Sequence, residues 1–185
     1  MMFIPGKVLE EFTVNGKKVV FRFLRVSDLG SGLKHINFLI RERAYIAAQK
    51  PVSRKKEMEW IKKELAEMKK GEKAAVVAEV DGKFSGIAEV WRCPADANRH
   101  VSEISIGFSS NRGIGLGKRT IALLEKIARK DFRSKILVIK CYECNCPALG
   151  LYRKMGFRQT GKVPKGCNYY GKYMDEVTLV KELGR

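Results

Sequence analysis

Ile104-Ser-Ile-Gly-Phe108-Ser-Ser-Asn-Arg112-Gly-Ile-Gly-Leu-Gly-Lys118 decides how the rest of the chain is read. An apolar strand stops at Phe108, small polar residues follow, and a glycine-studded turn leads into an amphipathic helix. Within the turn, Arg112, Gly115 and Gly117 stand at Arg-x-x-Gly-x-Gly spacing. Glycine opens positive φ and removes side chains that would bar a close ligand. The first-turn amides of a helix lack intrahelical acceptors and sit at the positive end of its dipole, so they suit phosphate. A pyrophosphate-bearing cofactor is the expected ligand.

Two other phosphate-binding turns fail on spacing. A P-loop requires Gly-x-x-x-x-Gly-Lys-Ser/Thr. Here Gly113 lies four residues before Gly117, and Arg119 stands where the hydroxyl would be. A Rossmann turn wants an acid at the end of the next strand. That strand, from Ile136, ends in Cys141-Tyr142, with Glu143 only beyond it.

A second block follows this strand: Asn145-Cys-Pro-Ala148-Leu-Gly-Leu151-Tyr152-Arg-Lys-Met-Gly156-Phe157. In order and separation the two blocks resemble those of the GNAT superfamily of N-acetyltransferases, which bind acetyl-coenzyme A. The resemblance covers residues 73–182 well and the preceding part loosely. One departure is a bridge from Phe108 to Arg112 that is a residue shorter than the family's usual one.

The resemblance implies a mixed α/β fold: a central, mostly antiparallel twisted sheet flanked by helices, with a strand splayed at the cofactor site. It implies that Ile106, Gly107 and Phe108 bond the pantetheine arm, and that Arg112, Gly113, Ile114, Gly115, Leu116, Gly117 and Lys118 hold the pyrophosphate. Asn145 falls to the pantetheine region, although Asn before Pro147 also suits a helix cap, and both roles can hold at once. Tyr152 matches the tyrosine that family members often use as general acid at the cofactor sulfur, a role open to a neutral phenol.

Glu103 lies where many members carry an acid that works through water. Glu89 in the neighbouring strand is its rival, and a base is dispensable for an amine that arrives neutral. Trp91, Tyr169 and Tyr170 either line the acceptor side or pack its rim. The implied reaction is direct transfer of acetyl from acetyl-CoA to a primary amine in a ternary complex. A protein N-terminus, a lysine, a polyamine or another small amine are all open as acceptors. The alternatives are a non-catalytic coenzyme A-binding regulator and a basic module associated with ribosomes or nucleic acid.

Composition agrees with a soluble enzyme. The 185 residues are expected to form one domain over 1–185, with 1–18 as an extension and first hairpin strand and 73–182 as the core. Hydrophobic content is 45% and charged content 31%. No apolar run approaches the roughly 20 residues of a membrane span. The N-terminus lacks a basic segment followed by an apolar core, so a cytoplasmic location is expected. Monomer and homodimer both stay open.

Three of the five cysteines crowd into Cys141, Cys144 and Cys146. Zinc wants four ligands, and only distant Cys93 or Cys167 completes a set, so reduced thiols and no metal are expected. The net charge of +17 can steer a polyanionic cofactor. Its lysines and arginines are spread without a long run, which favours a solvated surface over a nucleic-acid arm.

Around the glycine turn the elements follow by pattern. Asn15-Gly16 predicts a type I′ hairpin between Phe12–Val14 and Val19–Leu24. Ser27 or Asp28 is placed to cap a helix. Ile36, Ile40, Ala44 and Ala47 predict a first helix broken by Pro51, and Met58, Ile61, Leu65 and Met68 a second closed by Gly71. A hairpin over Ala74–Trp91 and a strand over Val101–Phe108 precede the turn. A helix to Lys130, a strand over Ile136–Lys140 and a helix over Pro147–Met155 come next. Strands over Phe157–Thr160 and Tyr169–Leu183 complete the sheet.

Overall fold

A computed structural model describes residues 3–111 and 113–184. Two hairpins begin the sheet. β1 (Val8–Val14) and β2 (Lys17–Phe23) join through Asn15 and Gly16, at φ 48° and 74°. β3 (Lys73–Val80) and β4 (Lys83–Arg92) join through Asp81 and Gly82, at φ 50° and 73°. Paired positive φ values match the right-handed twist of the flanking strands, which is why Asn-Gly and Asp-Gly turn there. α1 (Leu29–Arg41) and α2 (Arg54–Lys70) lie between the hairpins. β5 (Val101–Phe108), α3 (Leu116–Lys130), β6 (Ile136–Tyr142), α4 (Cys146–Lys154), β7 (Arg158–Tyr169) and β8 (Lys172–Glu182) follow.

The strands form one eight-stranded sheet in the order β1-β2-β3-β4-β5-β6-β8-β7. Every neighbouring pair is antiparallel except β5 with β6. This is the mixed, mostly antiparallel sheet expected from the sequence. β3 is buried continuously from Ala74 to Ala78, as a strand is when both of its faces are covered. α2 packs on β3 and against α1, while α3 packs on β4 and β5. Ile121, Leu124 and Ala128 of α3 are fully buried, the stripe their spacing predicts. Among the described residues, no helix is long and apolar enough to cross a membrane.

Four local expectations are corrected. α1 stops at Arg41, so Ala44 and Ala47 lie outside it. Arg43 takes φ 48°, and the segment after it is tied down by side chains, with Asn37 bonding both backbone groups of Val52 at 2.8 and 2.9 Å. Asp28 precedes α1 without capping it, because its carboxylate is occupied by Arg22 at 2.7 and 2.8 Å and by the Arg25 amide at 2.9 Å. The strand after Phe157 runs on to Tyr169, far beyond Thr160. The last strand starts at Lys172, after a turn at Tyr170 and Gly171 with φ 49° and 88°. Bulges between Gln159 and Gly161 and between Val163 and Cys167 break the alternation of β7 and hid it from pattern reading. β7 is an edge strand, and Lys162, Pro164 and Lys165 discourage a further strand from pairing with it.

Candidate active site

β5 and β6 run together only briefly, with Val101–Glu103 against Ile136–Val138. Beyond that point β5 stays on β4, as far as Phe108 opposite Gly86, while β6 follows β8 to Tyr142 opposite Glu176. The two strands therefore diverge, and from Ile104 to Gly107 β5 has no ladder partner on its β6 side. Buried peptide groups need partners, so such an edge is a ready hydrogen-bonding surface for an extended ligand. A cavity of about 710 Å³ fills the divergence and continues between α1, α2 and β4. Ile106 and Gly107 lie on its wall, with Tyr152 and Asn145 of α4, His35 of α1, Glu57 of α2 and Glu89 of β4. His35 is anchored through Nδ1 to Ser109 Oγ at 2.8 Å.

The glycine turn follows β5 directly. Gly113 and Gly115 take φ 84° and 89°, values that disfavour any side chain, and Gly115 is the residue from which α3 starts. The Arg119 amide bonds Gly115 O at 3.3 Å, whereas the amides of Leu116, Gly117 and Lys118 belong to the turn that a helix start leaves open. No acid occupies this turn, and it carries Lys118 and Arg119 instead. Basic residues are unfavourable beside a helix N-terminus unless an anion joins them. Gly117 allows close helix packing, since a Cβ there would lie 2.7 Å from Leu151 Cδ2. Ile114 packs against the core. Arg112 lies outside the described residues.

Asn145 does cap α4, its Oδ1 accepting from the Ala148 amide at 3.4 Å, and it also lines the cavity. Tyr152 is 7% exposed and packs its ring on Phe157. Burial, with a smaller contribution from Cys141, pushes its phenol well above the ordinary range, so it keeps its proton at neutral pH. Burial likewise pushes the Cys141 thiol up to about 12. No group of three or more His, Cys, Asp or Glu placed to hold a metal occurs among the described residues.

Of the two acids weighed from sequence, the fold brings Glu89 and not Glu103 to the cavity wall. Glu103 sits where β5 is still paired on both sides, opposite Trp91 and Val138. Glu89 accepts from Ser105 Oγ at 2.9 Å and lies 2.5 Å from Lys73 Nζ. Lys73 in turn lies 2.7 Å from Glu64, which is 3% exposed. Burial first, then repulsion from Glu89, raises the Glu64 carboxyl to about 7 against the opposing pull of Lys73.

Trp91 is not on the cavity wall and instead lies under Lys73, 5.1 Å from its Nζ. Tyr169 and Tyr170 are also off the wall. Tyr169 joins Tyr45 and Tyr142, which do line it, with ring centroids 5.2 and 5.9 Å away. Pattern reading missed Glu57, Glu64, Tyr45 and Tyr142. For the two glutamates a signal existed: Glu57 and Glu64 are seven residues apart, on the same side of α2 as Ile61 and Met68.

A family model described as "Acetyltransferase (GNAT) family" matches residues 40–157. The chain belongs to the GNAT family of acetyltransferases. This GNAT protein is an acetyl-CoA-dependent N-acetyltransferase, and the open β5 edge and the anion-favouring start of α3 fit that cofactor.

It is 26% identical over 154 residues to the L-methionine sulfoximine/L-methionine sulfone acetyltransferase of Pseudomonas paraeruginosa, covering 81% of this chain and 86% of the relative. Among solved structures it resembles ribosomal-protein-alanine N-acetyltransferase from Brucella melitensis. That match has 25% identity and a TM-score of 0.78, over 88% of this chain and 99% of the other. The fold is also that of yncA from Salmonella typhimurium, solved with its cofactor acetyl-CoA, at 22% identity and a TM-score of 0.77. That likeness covers 90% of this chain and 95% of the other.

Proposed function

We propose that this GNAT enzyme acetylates a small cationic amine by direct transfer within a ternary complex. The observation that carries the reading is a single cavity that joins the β5–β6 divergence to a lobe walled by the carboxylates of Asp28, Glu57 and Glu89 beside His35. Lys56 and Lys140 also line the cavity, but both are exposed. Asp28 is paired with Arg22 and Glu89 with Lys73, which leaves Glu57 facing the interior of this lobe without an ion pair among the described residues. Glu176 lines the cavity from β8. An amino-acid acceptor such as methionine sulfoximine brings a carboxylate, for which this lobe offers no enclosed lysine or arginine among the described residues. A protonated amine is the better complement.

Acetyl-coenzyme A, when bound, would supply an already activated acetyl thioester. The edge from Ile106 to Phe108 and Asn145 would hold its pantetheine arm, and the turn from Arg112 to Lys118 its diphosphate. Backbone donors on β5 suit a developing oxyanion because they stay fixed as charge grows. Glu89, oriented by Ser105 and Lys73, takes a proton from the acceptor nitrogen. The Tyr152 hydroxyl, still protonated at neutral pH, gives one to the departing sulfur. Glu103 is left a supporting role through water.

The test is thiol release from acetyl-CoA with a panel of amines, amino acids and peptides. Glu89→Gln and Glu103→Gln are measured alongside. A preference for cationic small amines and a larger rate loss in the Glu89 variant are expected. Equal turnover of free amino acids, or loss confined to Glu103→Gln, overturns the assignment.

A further inference from the structure

Glu57 takes no part in the proton transfers proposed above. It lies in the first turn of α2, is 5% exposed, and lines the cavity. Its backbone amide serves the helix by bonding Ser53 O at 3.0 Å. Its side chain makes no hydrogen bond or ion pair among the described residues. Burial alone drives its carboxyl above the ordinary range. Removing a carboxylate from water without a partner is costly, so a folded chain rarely keeps one without a use for it.

The neighbouring helix makes room for this group. Gly32, buried inside α1, faces it so closely that a Cβ at that position would lie 2.7 Å from Glu57 Oε1. Glycine within a helix is less favourable than alanine by about 1 kcal/mol. A residue that weakens α1 and also seats an unpartnered acid is part of a built feature. Trp60, one turn further along α2, lines the same lobe and offers an aromatic face suited to a cation.

The geometry points to Glu57 as the anchor for a second positive group on the acceptor, so that the substrate is a diamine or longer polyamine. One amine is presented to Glu89 and the β5 edge, while the distal ammonium forms the missing ion pair with Glu57. This rests on the acceptor lobe proposed above and narrows it from cationic amines to dications. A distal hydroxyl in place of the ammonium would leave Glu57 without a counter-charge.

The experiment compares putrescine with butylamine, by calorimetry on the intact protein and by acetyl-transfer kinetics, in the native chain, Glu57→Gln and Gly32→Ala. Putrescine should bind about tenfold or more tightly than butylamine to the native chain, and both substitutions should remove that preference. Glutamine keeps the shape and loses the charge, whereas alanine at position 32 displaces the carboxylate while favouring the helix, so misfolding does not explain a shared result. No preference in the native chain, or a preference kept in both variants, overturns the proposal. Failure of the acetyl-transfer reading has a different signature. It would be absence of acetyl-CoA binding, and the putrescine heats and their dependence on Glu57 would still be read directly.

Discussion

Glu64→Gln should flatten the decline in stability of this enzyme between acid and neutral pH. Glu64 is enclosed, pairs with Lys73, and feels the charge of Glu89. Its carboxyl titrates near 7 in the folded chain, against an ordinary 4.5. Between those values the folded chain holds a proton that the unfolded chain has released. The stabilisation linked to that proton is complete below the unfolded value and is lost as pH rises through about 7.

A gap of about 2.5 pH units, at 1.36 kcal/mol each, corresponds to about 3 kcal/mol lost by pH 8. Glutamine does not titrate, so the variant lacks this slope, while the weakened contact with Lys73 adds an offset that varies little with pH. Urea unfolding of both proteins at intervals from pH 4.5 to 8, with equal m-values, gives the two curves. They should diverge by about 3 kcal/mol across the range, with the variant gaining relative to the native chain. Parallel curves would show that Glu64 is ionised at neutral pH, and the account of the buried Glu64–Lys73–Glu89 cluster would fall.

Other outcomes follow from the same structure. Tyr152→Phe should lower kcat by about a hundredfold or more while coenzyme A still binds, because it removes a proton donor and leaves the ring packed on Phe157. Calorimetry with coenzyme A beside steady-state rates checks this. Gly115→Val, which forces a branched side chain to φ 89°, should weaken coenzyme A binding by disturbing the start of α3, seen as a raised Kd. Asp28→Ala should destabilise the fold by about 3–5 kcal/mol in denaturant unfolding, since buried Arg22 then keeps Glu79, at 2.6 Å, as its one ion-pair partner among the described residues, beside the Phe23 carbonyl at 3.1 Å.

Much of the fold was legible because its signals are local. Asn15-Gly16 and Asp81-Gly82 turn where positive φ is required, Gly71 ends α2 at φ 74°, and the spacing of Ile121, Leu124 and Ala128 sets the buried side of α3. What escaped depended on distant partners. Ala44 and Ala47 continue the period of α1, but residues beyond Arg41 are held by long-range bonds such as the Tyr170 amide to Gln49 Oε1 at 3.0 Å. β7 lacks regular alternation because its bulges exist only in its pairing with β8.

For the site, the two motif blocks named the glycine turn, Asn145 and Tyr152 by residue type and spacing. Choosing between Glu89 and Glu103 was beyond them. Both are acids on adjacent strands, and only the place where β5 leaves β6 decides which one faces the cavity. Glu57 and Glu64 share a side of α2 with Ile61 and Met68, a pattern visible in the chain but without meaning until β3 and β4 supplied Lys73 and Glu89.

By itself, then, the sequence determined the turns, the helix faces and the anion-favouring start of α3, because backbone preference and periodicity act between residues close in the chain. Tertiary structure alone decided the divergence of β5 from β6 and the enclosure of Glu57, Glu64 and Glu89. Ladder pairing and burial are set by segments far apart in sequence, and the charge state of a carboxylate depends on what those segments bring beside it.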